Sequence, residues 1–322
     1  MTNPFVFIVG CPRSGTTLLQ RMVNGHSQIA ITSEARWVAE CFEERRGVTS
    51  HGMVTPELIS YLLNHPRFAR LHIGREKLIA LMQDGGPVSY PSFVTGIFDL
   101  YGRRKRKALA GNKTPAFVRK LGLLNTLWPQ ARFIHLIRDG RDVYLSVANW
   151  HKAYQPDKPG SYVTWREDPV STTAFWWELN VRLGRQVGQS LGVGSYHELR
   201  YESLVTHPQE QCASLCTFLG LRYDDNMLRF HEGKTRNDPG LSAKRAWRPI
   251  TSGLRDWGSQ MPTEDIERFE AAAGELLDEL GYPRAFPRQR REKLQSAARV
   301  RALLAQDLLW RELEKGSDRR VR

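Results

Sequence analysis

The chain has 322 residues, 41% hydrophobic and 25% charged, a composition that fits a globular protein with a large core and excludes a disordered or collagenous chain. Forty-seven Lys and Arg against 34 Asp and Glu leave a formal charge of +13, which points to anionic ligands; without a basic run interleaved with aromatics, nucleic acid is not an expected partner. The apolar run near the start is too short for a signal peptide, no stretch approaches the roughly 18 apolar residues of a membrane span, and four cysteines without disulfide or zinc spacing fit a reducing, cytoplasmic protein.

Phe5 to Val9 is unbroken apolar sequence, the pattern of a strand buried on both faces. Gly10 opens a turn, and Leu18, Leu19, Met22 and Val23 set up a helical period from about Thr16 to Asn24. Strand, tight loop and helix form a phosphate cradle: backbone N–H groups around Ser14 to Thr17 converge, with the positive end of the helix dipole behind them, and Arg13 adds a permanent cation. The spacing Gly10-x4-Gly15-x-Thr17 copies a nucleotide P-loop, but Thr16 replaces the lysine of GxxxxGK[ST], which weakens an ATPase or GTPase reading. The run Pro12-Arg-Ser-Gly-Thr-Thr17 resembles the 5′-phosphosulfate loop of the sulfotransferase family, whose donor is 3′-phosphoadenosine-5′-phosphosulfate (PAPS) and whose product is the bisphosphate PAP. The resemblance implies that Arg13, Ser14, Gly15, Thr16 and Thr17 bind the donor.

Ser27 to Glu34 reads as an extended piece that brings Glu34 to the C-terminal edge of a sheet, where open α/β folds bind ligands. A helix is expected over Ala35 to Arg45, so Glu34 is either a first-turn carboxylate at its N-terminus or a functional group. Its position, 17 residues after Thr17, resembles the catalytic base of the tyrosylprotein branch of the family. Residues 35–107 then read as a helical insertion, with periods over Pro56 to Leu63 and Glu76 to Met82, of the kind that shapes an acceptor pocket.

Ala108 to Asn112 reads as a strand that presents Lys113 just before Pro115. A surface lysine in a turn is one account; the resemblance implies the family's lysine that stabilises charge on the bridging oxygen as sulfate leaves. Phe133 to Ile137 is the next strand, and Arg138 and Ser146 flank the start of the following helix. Either Asp139, Arg141 and Asp142 form a surface network of small energetic weight, or the pattern R-D-x-R-D-x-x-x-S resembles the family's 3′-phosphate site, with Arg138 and Ser146 as its ligands. His135, mid-strand between Ile134 and Leu136, is expected to be a packed core histidine.

Residues 151–173 read as an irregular loop expected to form a lid, followed by a helix from Thr173 to about Leu191. Ser195 to Leu204 reads as a strand, and its end, Arg200-Tyr-Glu-Ser-Leu204, resembles a family element whose tyrosine, here Tyr201, contacts the nucleotide. Gly233 to Gly253 is basic and Pro- and Gly-containing, and Ser242, Lys244 and Arg248 are expected to close over the donor. A helix over Thr263 to Leu280 follows. The expected organisation is a sulfotransferase domain over 1–288 and a basic C-terminal helix or tail over 289–322, which docks on the body or else meets a homodimer partner or an anionic membrane.

The expectation is therefore an α/β protein with a P-loop-type parallel β-sheet flanked by helices in three αβα layers, with helical insertions and a C-terminal helix. Its expected activity is sulfuryl transfer from PAPS to an acceptor hydroxyl on a small molecule, sugar, lipid or peptide, with Glu34, Lys113 and Arg13 as catalytic groups and no metal. Magnesium-dependent ATP turnover would mark a kinase or nucleotide hydrolase instead. Bisphosphate binding without transfer would mark a non-catalytic nucleotide-binding protein.

Overall fold

A computed structural model of the chain describes residues 5–83, 86–150, 152–232, 248–251, 253 and 255–318. It divides into two compact units, Met1–Ile137 with Leu183–Thr251 and Arg138–Arg182 with Ser252–Arg322.

The first unit holds a sheet that has five strands among the described residues: β1 (Val6–Val9), β2 (Ile29–Ser33), β3 (Leu109–Lys113), β4 (Arg132–Ile137) and β5 (Tyr196–Arg200). The order is β2-β3-β1-β4-β5, and every pairing is parallel. β1 is central. The chain leaves it to build β2 and β3 on one side, then β4 and β5 on the other, so the loops diverge at the C-terminal end of β1, the crevice where such sheets bind ligands.

Both faces of the sheet are covered, which explains the unbroken apolar strands. Phe5, Phe7, Val9 and Phe133 face one core together with residues of α2 (Trp37–Glu43), α3 (Pro56–Asn64), α5 (Tyr90–Arg104) and α6 (Leu121–Leu127); α4 (Arg75–Gln83) lies in the same stretch of chain. Val6, Ile8, Ile134, Leu136 and Leu199 face the other, packed by α1 (Thr16–Gly25), α9 (Tyr201–Thr206) and α10 (Pro208–Leu219). The expected helical insertion is thus most of one covering layer. Phe98 of α5 packs 4.5 Å from Phe5, ring centre to ring centre. Tyr90 to Arg104, inside the expected helical insertion but without a helical period of its own in the sequence reading, form α5, and the strand expected to run to Leu204 stops at Arg200, where Tyr201 opens α9.

The second unit contains α7 (Gly140–Ala148), the first part of α8 (Pro169–Ser190), α11 (Trp257–Gln260), α12 (Thr263–Glu279) and α13 (Arg291–Asp318). α8 begins four residues before the expected Thr173. The stretch before it forms 3-10 turns over Pro159–Ser161 and Val163–Arg166, and Trp176 Nε1 donates to the Asp157 carbonyl at 3.1 Å. α13 packs against α12: Ala297, Val300 and Leu304 are buried, and Lys293 donates to Glu264 at 2.8 Å. Among the described residues no helix is long and apolar enough to cross a membrane.

Candidate functional site

The loop after β1 has the backbone that its glycines predict. Gly15, the residue before α1, has φ +92°, and no side chain caps the helix. A Cβ there would also run into the Tyr201 ring, so the position admits glycine for two independent reasons. Ser14 N donates to the Cys11 carbonyl at 3.1 Å, closing the turn. The Ser14 hydroxyl is fully buried with no hydrogen-bond partner, an arrangement that costs free energy unless a ligand fills it. Thr16 is buried and Arg13, at φ +81°, is exposed. Tyr201 packs its ring over the loop glycine.

Glu34 follows β2 directly, and its own N–H donates to the Lys113 carbonyl at 2.6 Å, carrying the β2–β3 pairing one residue past the strands. It does not cap α2, whose N-terminal flanking residue is Arg36. Its carboxylate faces two cations: Arg67 Nη1 is 2.9 Å from Oε2, and Lys113 Nζ is 3.7 Å from Oε1. Lys113 is 1% exposed, not a surface lysine, and its Nζ donates to Thr17 Oγ1 at 3.4 Å, at the head of the loop helix. Burial pushes the Glu34 carboxyl up, but Lys113, Arg67 and Arg36 together outweigh it and hold the group below the ordinary glutamate value. Burial likewise pushes the Lys113 ammonium below its usual value, against the pull of Glu34. Loop head, buried ammonium and carboxylate therefore form one cluster.

α1 also fixes the strand that carries Glu34. Asn24 Nδ2 donates to the Ile31 carbonyl at 2.9 Å and Asn24 Oδ1 accepts from the Ile31 N–H at 2.7 Å. Gln20 Nε2 donates to the same carbonyl at 3.0 Å and to Ser33 Oγ at 3.1 Å. Among the described residues β2 is an edge strand, and these amides satisfy backbone groups on its outer side.

In the second unit, Arg138 is the residue after β4 and starts the R-D-G-R-D run. Its Nη2 donates to Asp142 Oδ2 at 2.9 Å, and Asp142 Oδ1 accepts from the Trp257 N–H at 2.9 Å. Arg141 is wholly buried: it donates to both oxygens of Asp139, at 3.0 and 2.7 Å, and to Glu270 Oε1 at 2.6 Å, beneath the Trp257 ring at 3.5 Å. Glu270 further accepts from the N–H groups of Ala285 and Phe286. The network around Asp139, Arg141 and Asp142, which the sequence also allowed as a surface network, is a buried one. Ser146 is buried on α7. Arg248 is exposed, while Ser242 and Lys244 lie outside the described residues. His135 is buried in β4 with Tyr196 Oη 2.6 Å from Nδ1, and burial with Arg185 and Arg200 pushes it down to about 3, as a packed core histidine requires.

A family model described as the Sulfotransferase family matches residues 4–225, more than half of the chain. The chain belongs to that family. Its relatives include protein-tyrosine sulfotransferase A of Caenorhabditis elegans, 25% identical over 293 residues and covering 89% of this chain and 69% of the relative. Protein-tyrosine sulfotransferase 2 of Gallus gallus is also 25% identical, over 287 residues, covering 87% and 69%. The sulfotransferase domain of the Synechococcus PCC 7002 olefin synthase shares the fold, with a TM-score of 0.58 at 23% identity over 88% of this chain and 97% of that domain.

Within this sulfotransferase, sequence reasoning missed Arg67, Asn24 and Gln20. The helical period of α1 places Gln20 and Asn24 on one face, four residues apart, which was a usable signal. Arg67 had none: it lies in the turn after α3, and only the packing of the insertion brings it to Glu34.

Proposed function

We propose that this protein is a PAPS-dependent O-sulfotransferase that passes the sulfuryl group of PAPS to an acceptor hydroxyl and releases PAP. The observation that carries the reading is the Glu34 carboxylate beside buried Lys113, itself in contact with Thr17 of the loop. PAPS fits the residues present: the buried Ser14 hydroxyl lacks a partner, Gly15 lets the loop run close against the Tyr201 ring, and Lys113 is a buried cation beside the head of the loop helix. PAPS supplies sulfate already activated as an anhydride with its 5′-phosphate.

In this scheme Arg13, Ser14, Gly15, Thr16 and Thr17 hold the phosphosulfate. Arg138 and Ser146 hold the 3′-phosphate, an assignment carried by the R-D-x-R-D-x-x-x-S order, and Tyr201, Ser242, Lys244 and Arg248 complete the donor contacts. The acceptor oxygen attacks sulfur in line as the bond from sulfur to the bridging oxygen breaks. Glu34 takes the hydroxyl proton. Lys113, Arg13 and the loop amides oppose the negative charge that grows on the departing phosphate oxygen. The relatives' names favour a tyrosine hydroxyl of a peptide or protein as the acceptor. The replaced loop lysine and the family membership leave no observation in favour of nucleotide hydrolysis.

Replacing Glu34 by Gln keeps shape and removes basicity, so turnover should fall by about 10²–10⁴ while PAP binding, read by calorimetry, stays near wild type. Unchanged turnover would remove Glu34 as the base, and failure to bind PAP would remove the donor assignment.

A further inference from the structure

Arg67 is a cation that neither the phosphate loop nor the sheet supplies, and its guanidinium forms an ion pair with the Glu34 carboxylate. It lies just after α3, 33 residues beyond Glu34 in sequence, and its Nη1 reaches both the carboxylate Oε2 at 2.9 Å and the Glu34 carbonyl at 3.5 Å. Both contacts fall on a residue held at φ +32°, a left-handed conformation that residues with side chains rarely adopt. With Oε2 engaged by Arg67, the other oxygen, Oε1, faces Lys113 and through it Thr17. The two oxygens of one carboxylate are thus assigned to opposite sides.

We propose that Arg67 is a positioning residue for the base: it fixes the backbone and rotamer of Glu34 so that Oε1, on the Lys113 side, receives the acceptor proton. The inference rests on the assignment of Glu34 as base. It gives the helical insertion a part in the chemistry, besides covering the sheet. The charges that face Glu34 are Lys113 at the end of β3, Arg36 at the entrance to α2 and Arg67 after α3, while Arg21 of α1 acts on Lys113. Burial opposes all three cations. Without Arg67 two of them remain against the same burial, so the carboxyl must rise and protonate at a higher pH.

The test measures kcat/KM against pH in the full chain for Arg67→Gln, Arg67→Lys and Glu34→Gln, with PAPS and a tyrosine-containing acceptor peptide. Arg67→Gln should lose about tenfold or more in kcat at neutral pH, through a misdirected base. Its acid limb should move to higher pH, with the KM for PAPS unchanged. Arg67→Lys keeps a charge and should keep the limb near wild type, yet fall in kcat, because a lysine stem ends short of the Nη1 position. An acid limb that stays in place in Arg67→Gln makes the residue mere packing and overturns the inference. Should Arg67→Gln not fold, Arg67→Lys decides alone: full kcat there overturns positioning. If Glu34→Gln keeps wild-type turnover, the base assignment itself fails; if it loses turnover and the Arg67→Gln limb does not move, only the role of Arg67 fails.

Discussion

Burial pushes the Glu34 carboxyl up, but the cations around it outweigh that burial and hold it below the ordinary glutamate value, so it stays ionised to lower pH than an isolated glutamate. A group whose folded pKa is depressed holds its ionised form above that lowered value and loses it as pH falls through it. The account therefore predicts an acid limb of kcat/KM below the ordinary glutamate value in the wild-type protein. Lys113→Met removes a neighbour of Glu34 and should move that limb upward, and on the leaving-group role proposed for Lys113 it should also slow turnover; a limb that stays in place would contradict the pairing of the two residues. Gly15→Ala combines a positive φ with a Cβ directed into the Tyr201 ring. It should lower the melting temperature by several degrees, a loss of about 1–3 kcal/mol, and abolish measurable PAP binding. Of these residues, Gly15, Glu34 and Lys113 were visible in the sequence because each sits at a turn next to an apolar strand. Arg67 was not visible, because its partner is set by the packing of the insertion.

The strands were legible for a simple reason: a parallel sheet covered on both faces needs continuous apolar runs, and Phe5 to Val9 and Phe133 to Ile137 have them. α5 was not, since Pro91, Gly96 and Gly102 interrupt a segment whose helix rests on burial of Tyr90, Phe93, Val94, Ile97 and Phe98. The R-D-G-R-D run is charged enough to read as solvated, and nothing local shows that Glu270, 129 residues later, completes the pocket of Arg141. Replacing Arg141 by Met leaves Asp139 and Glu270 buried without their cation, so urea unfolding should show a loss of about 3–5 kcal/mol. A loss no larger than that of an exposed arginine would contradict the buried network. Asn24→Ala removes the reciprocal pair on the edge of β2 and should cost about 1–2 kcal/mol, with kcat reduced more than PAP affinity, because Glu34 directly follows that strand, three residues after Ile31.

Taken whole, the chain carries a charge of +13 and presents its phosphate cradle at the end of a central strand, a setting suited to a polyanionic donor. A nucleotide that binds only the folded state stabilises it by mass action, so PAP at about 100 times its Kd should add about 2.7 kcal/mol, seen as a rise in melting temperature that AMP does not reproduce. What the sequence left open is the acceptor: the proposed donor and base contacts rest on short motifs at the sheet edge, whereas no motif in the inserted helices points to an acceptor. The most direct test of sulfuryl transfer is incubation of the protein with labelled PAPS and a panel of tyrosine peptides, sugars, lipids and small phenols, read by transfer of label and mass. The account predicts that one acceptor class gains a single sulfuryl group in the wild-type protein, and that Glu34→Gln, still binding PAP, transfers at least about a hundredfold more slowly. Transfer at the same rate in both proteins, or no binding of PAPS or PAP at micromolar concentration, would contradict it.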